Sequence, residues 1–258
     1  MIKTQRPWTT DQDSYLTAHY TDTSMTELAE VLGHTVLGVH RRARFLGLLR
    51  ARTLATHAIC HYYFSALDTS LKAYILGLLA ADGSVSSAEP RIRLKLHTKD
   101  ACLVEVVRDE LAPHTLLRRK GDAIQFGISS PQLVVDLARY GVVPRKSYCL
   151  EWPAQLPPQL HHAFLLGYFD GDGSLVAMPR SMGTYAPQWS LYGLPGFLDA
   201  AANVIEHHIH VRPRGPIRDP RKETLHYLRA YGSQAYVIDS WLHQDGLGLE
   251  RKRIPTPT

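Results

Sequence analysis

Two nine-residue stretches decide the fold: Ile75-Leu-Gly-Leu-Leu-Ala-Ala-Asp-Gly83 and Leu165-Leu-Gly-Tyr-Phe-Asp-Gly-Asp-Gly173. The second begins 90 residues after the first. Each is followed by Ser and an apolar residue, Ser84-Val85 and Ser174-Leu175. Both read as apolar helices with small residues along one stripe. Gly77 and Ala81 are four positions apart, as are Gly167 and Gly171, so each pair lies on one helical face. Small residues there allow two helix backbones to approach more closely than ordinary side chains permit. The expectation is that the two helices pack on each other and join two repeats. Each helix ends in Asp-Gly, and Gly83 and Gly173 are expected to supply the left-handed residue that closes a helix.

Asp82 and Asp172 are the informative positions. A carboxylate at a helix C-terminus faces the negative end of the macrodipole, a penalty of about 0.3–1 kcal/mol. If the helices run parallel, the two acids also repel. The arrangement makes sense where divalent cations sit, because hard cations such as Mg2+ or Mn2+ take carboxylate, carbonyl, water and phosphate oxygens. Metals spanning a scissile phosphate are a general device for in-line phosphodiester cleavage. Asp170 stands where the first stretch has Ala80, and reads as a capping or surface residue.

The pattern after each stretch repeats coarsely. Strand alternation comes first, then an amphipathic helix near 100–111 or 195–209. Two strands follow near 115–129 or 212–231, then a helix near 131–140 or 233–243. Ser130-Pro131 is a helix start, with a capping hydroxyl and Pro in the first turn. Each unit is therefore αββαββα, an α+β arrangement of helices on an antiparallel sheet. These features resemble the LAGLIDADG homing endonucleases over about 190 residues, from 69 to the C-terminus. In that family one motif per chain implies a homodimer and two imply a pseudo-symmetric monomer; this chain has two.

The resemblance implies tandem LAGLIDADG domains at 69–151 and 152–258, with helices packed on curved antiparallel sheets. It implies a site-specific nuclease that cuts double-stranded DNA and leaves short 3′ overhangs. Asp82 and Asp172 would hold the divalent metals, assisted by the carbonyls of Ala81 and Gly171. The family also places a basic residue after the last helix of each repeat. Here GVVPRK gives Lys146 and GLGLERK gives Lys252, to stabilise charge on the phosphate or tune the attacking water. The alternative for both is a plain surface lysine.

Residues 91–99, R-I-R-L-K-L-H-T-K, alternate with period two. Arg91, Arg93, Lys95, His97 and Lys99 share one strand face, and the other face is largely apolar. Five basic or potentially basic positions without an acid suit nucleic acid better than a solvated face. In the second repeat Gln188, Ser190 and Tyr192 alternate against Trp189 and Leu191. Arg212, Arg214, Arg218, Arg221 and Lys222 cluster in a stretch interrupted by Gly and Pro. Gln125 and Arg229 are further candidate DNA contacts.

Residues 1–52 read as three short helices. Thr10 precedes Asp11 and Asp13, acids well placed at a helix start. Ser24 and Glu27 have capping-box spacing. Gly33 ends the second helix, Thr35 starts the third, and Gly47 ends it. The third helix carries His40, Arg41, Arg42 and Arg44. A short helix, a Gly-bearing turn and a basic helix is the helix-turn-helix plan, whose second helix enters the major groove. Residues 6–48 resemble Myb-like and related bacterial trihelical domains; the alternative is a small helical domain with a solvated basic face. Residues 53–68 read as a linker, either loop or packed helix.

The chain has 258 residues, 45% hydrophobic and 21% charged, with net charge +5. That composition excludes disorder, collagen and coiled coil as the dominant state. The most apolar run, Ala73 to Ala81, is nine residues, against about 20 for a bilayer span. Three cysteines without C-x2-C spacing read as reduced thiols. There is no P-loop, GxGxxG or GxSxG, so a nucleotide cofactor or a hydrolase triad is not expected. The histidines lack Cys partners at zinc-ligand spacing. The expectation is a monomeric, nucleoid-associated cytoplasmic protein of a bacterial or phage-type host. The rival readings are a non-catalytic transcription regulator and an RNA maturase.

Overall fold

The computed structural model describes residues 7–23, 25–48, 59–179, 185–220 and 224–255. The proposed cap Ser24, the basic residues Arg221 and Lys222, and 53–58 of the linker lie outside the described residues. Three helices come first: α1 (Thr10–His19), α2 (Met25–Leu32) and α3 (Val36–Phe45). The first repeat follows as α4 (Ser70–Ala81), β1 (Gly83–Ser86), β2 (Arg91–His97), α5 (Ala101–Leu111), β3 (Arg118–Lys120), β4 (Ala123–Ser129) and α6 (Pro131–Arg139). The second is α7 (His161–Asp172), β5 (Gly173–Pro179), β6 (Tyr185–Gly193), α8 (Pro195–Ile209), β7 (Arg214–Arg218), β8 (His226–Tyr231) and α9 (Ser233–Leu242). The αββαββα order occurs twice. The sheets have matching strand orders, β1-β2-β4-β3 and β5-β6-β8-β7.

Local chemistry accounts for most boundaries. Thr35 caps α3 by accepting from the Gly38 amide, and Ser130 caps α6 ahead of Pro131. Gly33 and Gly47 have positive φ beyond α2 and α3, where the missing Cβ removes the left-handed penalty. At α1 the cap is Thr9, not Thr10: Thr9 and Gln12 form a reciprocal capping box. In the second half of the linker, residues 61–66 are turns, not helix. The basic strand β2 stops at His97. Thr98–Asp100 form a 3-10 turn in which His97 accepts from the Lys99 amide, so Lys99 lies beyond the strand.

By internal contacts the chain divides into two compact units: Met1–Cys60 with Lys95–Ile128, and His61–Leu94 with Ser129–Thr258. The boundary passes through β2. In the first unit α1, α2 and α3 share a core that includes Leu16, Leu28, Leu32, Val36, Val39 and Ala43, with Trp8 packed against it. In the second unit α4 and α7 form the central contact. Behind them Phe169 stacks on Trp189 of β6 at 5.4 Å, and Trp152 meets Phe164 edge-on at 5.3 Å. Among the described residues, no helix is long and apolar enough to cross a membrane.

The expected close approach of the motif helices is present. A Cβ on Gly77 would run into the Phe164 carbonyl and lie 2.9 Å from the Tyr168 amide nitrogen. A Cβ on Gly167 would run into the Tyr74 carbonyl and lie 2.9 Å from the Leu78 nitrogen. The ascending pairs 74/167, 77/168 and 81/171 make the helices parallel. The expectation for Gly83 and Gly173 needs correction. Neither has positive φ, and Gly173 is extended at φ −104°. Glycine is needed there because a Cβ would strike Leu79 at the first site and Phe169 at the second. The chain turns straight from helix into strand.

Gly77→Ala and Gly167→Ala should each cost about 3 kcal/mol or more, since backbone must shift to admit the methyl group. Gly196→Ala, in α8 with open space around it, should stay within about 0.5 kcal/mol of the parent. Chemical denaturation midpoints compare the three.

Candidate active site

The parallel contact brings two carboxylates to the same end of the helix pair. Asp82 is the C-cap of α4 and Asp172 the last residue of α7. Both side chains are exposed. A Cβ built on Gly171 would lie 2.8 Å from Asp82 Oδ2 and would strike the Ala81 side chain. Gly171 therefore leaves the space that the Asp82 carboxylate uses. Both acids also act on the same two groups. They hold the Lys146 ammonium form against the downward pull of its burial, and their charge adds to the burial that pushes the Tyr168 phenol up.

Lys146 and Lys252 are both buried, which excludes the plain-surface alternative. They differ in what they hold. Lys146 Nζ donates to the Ala81 carbonyl at 2.8 Å. Lys252 Nζ donates to three carbonyls, Phe169 at 2.9 Å, Asp170 at 2.7 Å and Gly173 at 2.8 Å. An ammonium has three donors, so Lys252 is saturated by the end of α7. Burial outweighs the acids at Lys146 and moves its pKa below the ordinary lysine value. The folded chain thus binds this proton less tightly than the unfolded chain.

Asp170 is not a surface residue. It is 4% exposed and accepts from Tyr74 Oη at 2.6 Å and the Leu249 amide at 2.8 Å. Burial pushes its carboxyl up, against the pull of those two bonds. It ties α4, α7 and the C-terminal segment together. Tyr168 was not singled out by the sequence. Its hydroxyl donates to the Tyr192 carbonyl at 3.1 Å, and the equivalent position in α4 is Leu78. The signal available was this mismatch between otherwise matched repeats.

The donor set suits a hard cation. Among the described residues no group of three or more His, Cys, Asp or Glu forms a metal cluster. The ends of α4 and α7 offer two exposed carboxylates and main-chain carbonyls, leaving other coordination positions to water and phosphate oxygens. The Ala81 carbonyl already accepts from Lys146, so it enters such a set with one lone pair engaged.

The expected DNA contacts fall into three groups. On β2, Arg93, Lys95 and His97 are exposed, with Ile92 and Leu94 buried between them, and Arg91 is half-buried. On the second sheet one cross-strand row joins Ser174, Ser190, Arg229 and Arg214, so two arginines are neighbours. Half-buried Gln188 shares that face, and exposed Arg218 stands opposite His226. Gln125 on β4 pairs with Arg118. Ser190 is 1% exposed and accepts from Gln188 and Arg229; it positions those side chains and does not reach outward itself.

Arg212 is turned to α8, donating to Asn203 and Glu206, both at 2.7 Å. In the first unit His40 is 4% exposed and faces Asp109. That corrects its expected place on a DNA-reading surface: it lies on the packed face of α3. Arg44 pairs with Glu105 at 3.7 Å, and Arg41 is exposed.

No protein-family model and no curated protein matches the chain. Solved structures do. Meganuclease I-SmaMI bound to uncleaveable DNA with a TTCT central four aligns with a TM-score of 0.51 at 12% identity, covering 71% of this chain and 88% of that one. The fold is the LAGLIDADG fold. I-SmaMI bound to uncleaved target DNA with calcium ions gives 0.49 at 13% identity, covering 72% and 87%. The LAGLIDADG homing endonuclease I-LtrWI bound to target DNA gives 0.43 at 14%, covering 63% and 78%. In LAGLIDADG terms, α4 and α7 are the paired motif helices.

The two lysines should separate in stability assays. Lys252→Met takes the ammonium donor from three carbonyls, of which Phe169 keeps the Gly173 amide, and should cost about 3 kcal/mol. Lys146→Met strands one and removes a desolvated charge, so it should cost about 1 kcal/mol or less. The downward shift at Lys146 adds a gain in stability as pH rises through the alkaline range below the ordinary lysine pKa. Lys146→Met should lose that gain, measured by denaturation at pH steps on both proteins.

Proposed function

We propose that the chain is a metal-dependent DNA endonuclease with one active site built on its paired motif helices. The observation that carries this is the pair of exposed carboxylates, Asp82 and Asp172, held at the same end of two parallel helices and acting together on Lys146. Like charges at adjacent helix ends cost stability, and binding of divalent cations offsets that cost. A bound Mg2+ or Mn2+ would activate water and neutralise charge on the scissile phosphate. Asp82 and Asp172 hold the ions, each serving one strand. The Gly171 carbonyl and the second lone pair of the Ala81 carbonyl assist. Lys146 stabilises developing negative charge beside both acids. Lys252 acts chiefly as a positioning residue for the end of α7.

In this reading 69–151 and 152–258 are the two repeats of a pseudo-symmetric monomer. The substrate is double-stranded DNA and the product carries a short 3′ overhang. Arg91, Arg93, Lys95 and His97 on one sheet, and Gln188, Arg214, Arg218 and Arg229 on the other, contact bases and phosphates. Residues 1–52 act as a helix-turn-helix extension that contacts DNA outside the core site, joined through 53–68. The protein works beside DNA in the cytoplasm.

The test is cleavage of a pooled duplex library, including DNA flanking the native gene, with Mg2+ and with EDTA. Wild type should give metal-dependent cuts with a fixed overhang. The Asp82→Asn, Asp172→Asn double variant should bind the same duplexes and cut at least about 1,000-fold more slowly, the loss of several kcal/mol of metal-derived stabilisation. Specific retention of duplexes by wild type without cutting would overturn the assignment in favour of a regulator.

A further inference from the structure

The second sheet sorts its two faces sharply. Trp189 and Leu191 of β6 and Leu228 and Ala230 of β8 are fully buried. The alternate positions form the other face, because strand side chains alternate with period two. Residues paired directly across strands share a face, so the register divides that face into rows. One row is Ser174, Ser190, Arg229 and Arg214. The next row along β5 is Val176, Gln188 and Tyr231. Met178, opposite Ala186, stands two residues further out.

Beyond the arginine row this face presents carbon. Val176 is 43% exposed, Met178 40% and Tyr231 39%. Neighbouring exposed apolar side chains mark a surface that meets something. Gln188 is half-buried between Val176 and Tyr231 and donates to Ser190 at 3.4 Å. Its carboxamide also carries a second N–H and a carbonyl oxygen. Among the described residues of β5, β6, β7 and β8 there is no acid. Arg229 is already engaged: it donates to Ser190 at 3.4 Å and its guanidinium lies over the Tyr227 ring at 4.2 Å. The apolar row with its one carboxamide, not the cations, is therefore the informative feature.

The major-groove edges of the base pairs narrow what such a row can meet. Guanine presents two acceptors and cytosine an amino donor. A valine or methionine against either leaves a polar group desolvated without a partner. The thymine methyl is the one apolar group on those edges, and adenine N7 and N6 match the donor and acceptor of a carboxamide. β5 is an edge strand paired with β6, and a two-stranded ribbon fits the major groove. We propose that the β5–β6 ribbon selects an A·T-rich half-site, with Val176 and Met178 against thymine methyl groups and Gln188 on adenine. This rests on the DNA-binding part of the function proposed above and names the composition of one half of the target. Successive rows lie about 6.6 Å apart along a strand, about two base-pair steps, so the A·T run should cover at least about three pairs.

The experiment first selects duplexes from a random-sequence library by binding to wild type in EDTA, so that cutting plays no part. One half of the selected site should contain the A·T run. That duplex is then remade with uracil for thymine in the run, which removes the methyl groups and keeps the pairing, and separately with 7-deazaadenine, which removes N7. Uracil should weaken wild-type binding by about 4-fold per lost methyl contact, and binding by the Val176→Ser, Met178→Ser variant by less than about 2-fold. Deazaadenine should weaken wild type by about 5-fold and Gln188→Ala by less than about 2-fold. Val237→Ser, which changes an exposed apolar residue on α9, should respond to both analogues as wild type does. Matching thermal unfolding curves would show that the variants are folded.

A selected site without an A·T run, a wild type insensitive to either analogue, or a variant that responds to its analogue as wild type does, overturns the half-site and leaves the nuclease reading standing. Failure of wild type to select any duplex overturns both. Sedimentation of the free proteins tests the other occupant of such a face. Wild type and the Val176→Ser, Met178→Ser variant should sediment alike. A wild-type dimer that this variant breaks up, with duplex binding unchanged, would assign the face to a second copy of the chain and overturn the proposal.

Discussion

Everything in the second unit depends on main chain meeting main chain. At Gly77 and Gly167 two helices touch through carbonyl and amide atoms, with no side chain between them. That contact fixes the distance between the helices, their parallel direction, and so the meeting of Asp82 and Asp172. Side-chain packing around it, including the Phe169–Trp189 stack, excludes water and adds apolar burial. A contact made by side chains would tolerate rotamer changes and small volume exchanges. A contact made by backbone has no such freedom, so both glycines are determined by geometry.

The second constraint is electrostatic. Helix ends that gather carbonyl oxygens and carboxylates carry excess negative charge. The chain answers with a lysine at each helix end, and the two answers differ. Lys252 is saturated by the carbonyls of Phe169, Asp170 and Gly173, whereas Lys146 holds Ala81 and senses both acids. Asp170, Tyr74 and Tyr168 add to the difference, because the first motif has Ala80 and Leu78 at the positions of Asp170 and Tyr168. Pseudo-symmetry in the backbone thus coexists with chemical asymmetry in the site.

Much of this was legible in the sequence, for physical reasons that also mark where legibility stopped. The motif helices, their pairing stripe, and the caps at Thr35, Ser130 and Gly33 are local or periodic features, and spacing alone exposes them. The alternation Arg93, Ile92, Lys95, Leu94 reported the two faces of β2 correctly. Asp170 was misread because its partners, Tyr74 and the Leu249 amide, are brought to it only by the tertiary fold. His40 was misread for the same reason: its basic neighbours on α3 suggested a surface, whereas Asp109 on α5 covers it. Gly83 and Gly173 were assigned to the right position for the wrong cause. A pattern shows that a side chain is excluded, but not whether torsion or crowding excludes it.

The cradle around Lys252 has a consequence for the chain's last stretch. Three carbonyl oxygens at 2.7–2.9 Å surround the ammonium group, much as they would surround a dehydrated monovalent ion. The ion here is tethered, and its tether is the segment from Leu249 to Ile254, which Asp170 and Asp239 also hold by its amides. The segment is therefore located by coordination geometry as well as by the burial of Leu249 and Ile254. Any movement of the last turn of α7 is transmitted to it directly, which makes this stretch a mechanical gauge of the helix end that carries Asp172.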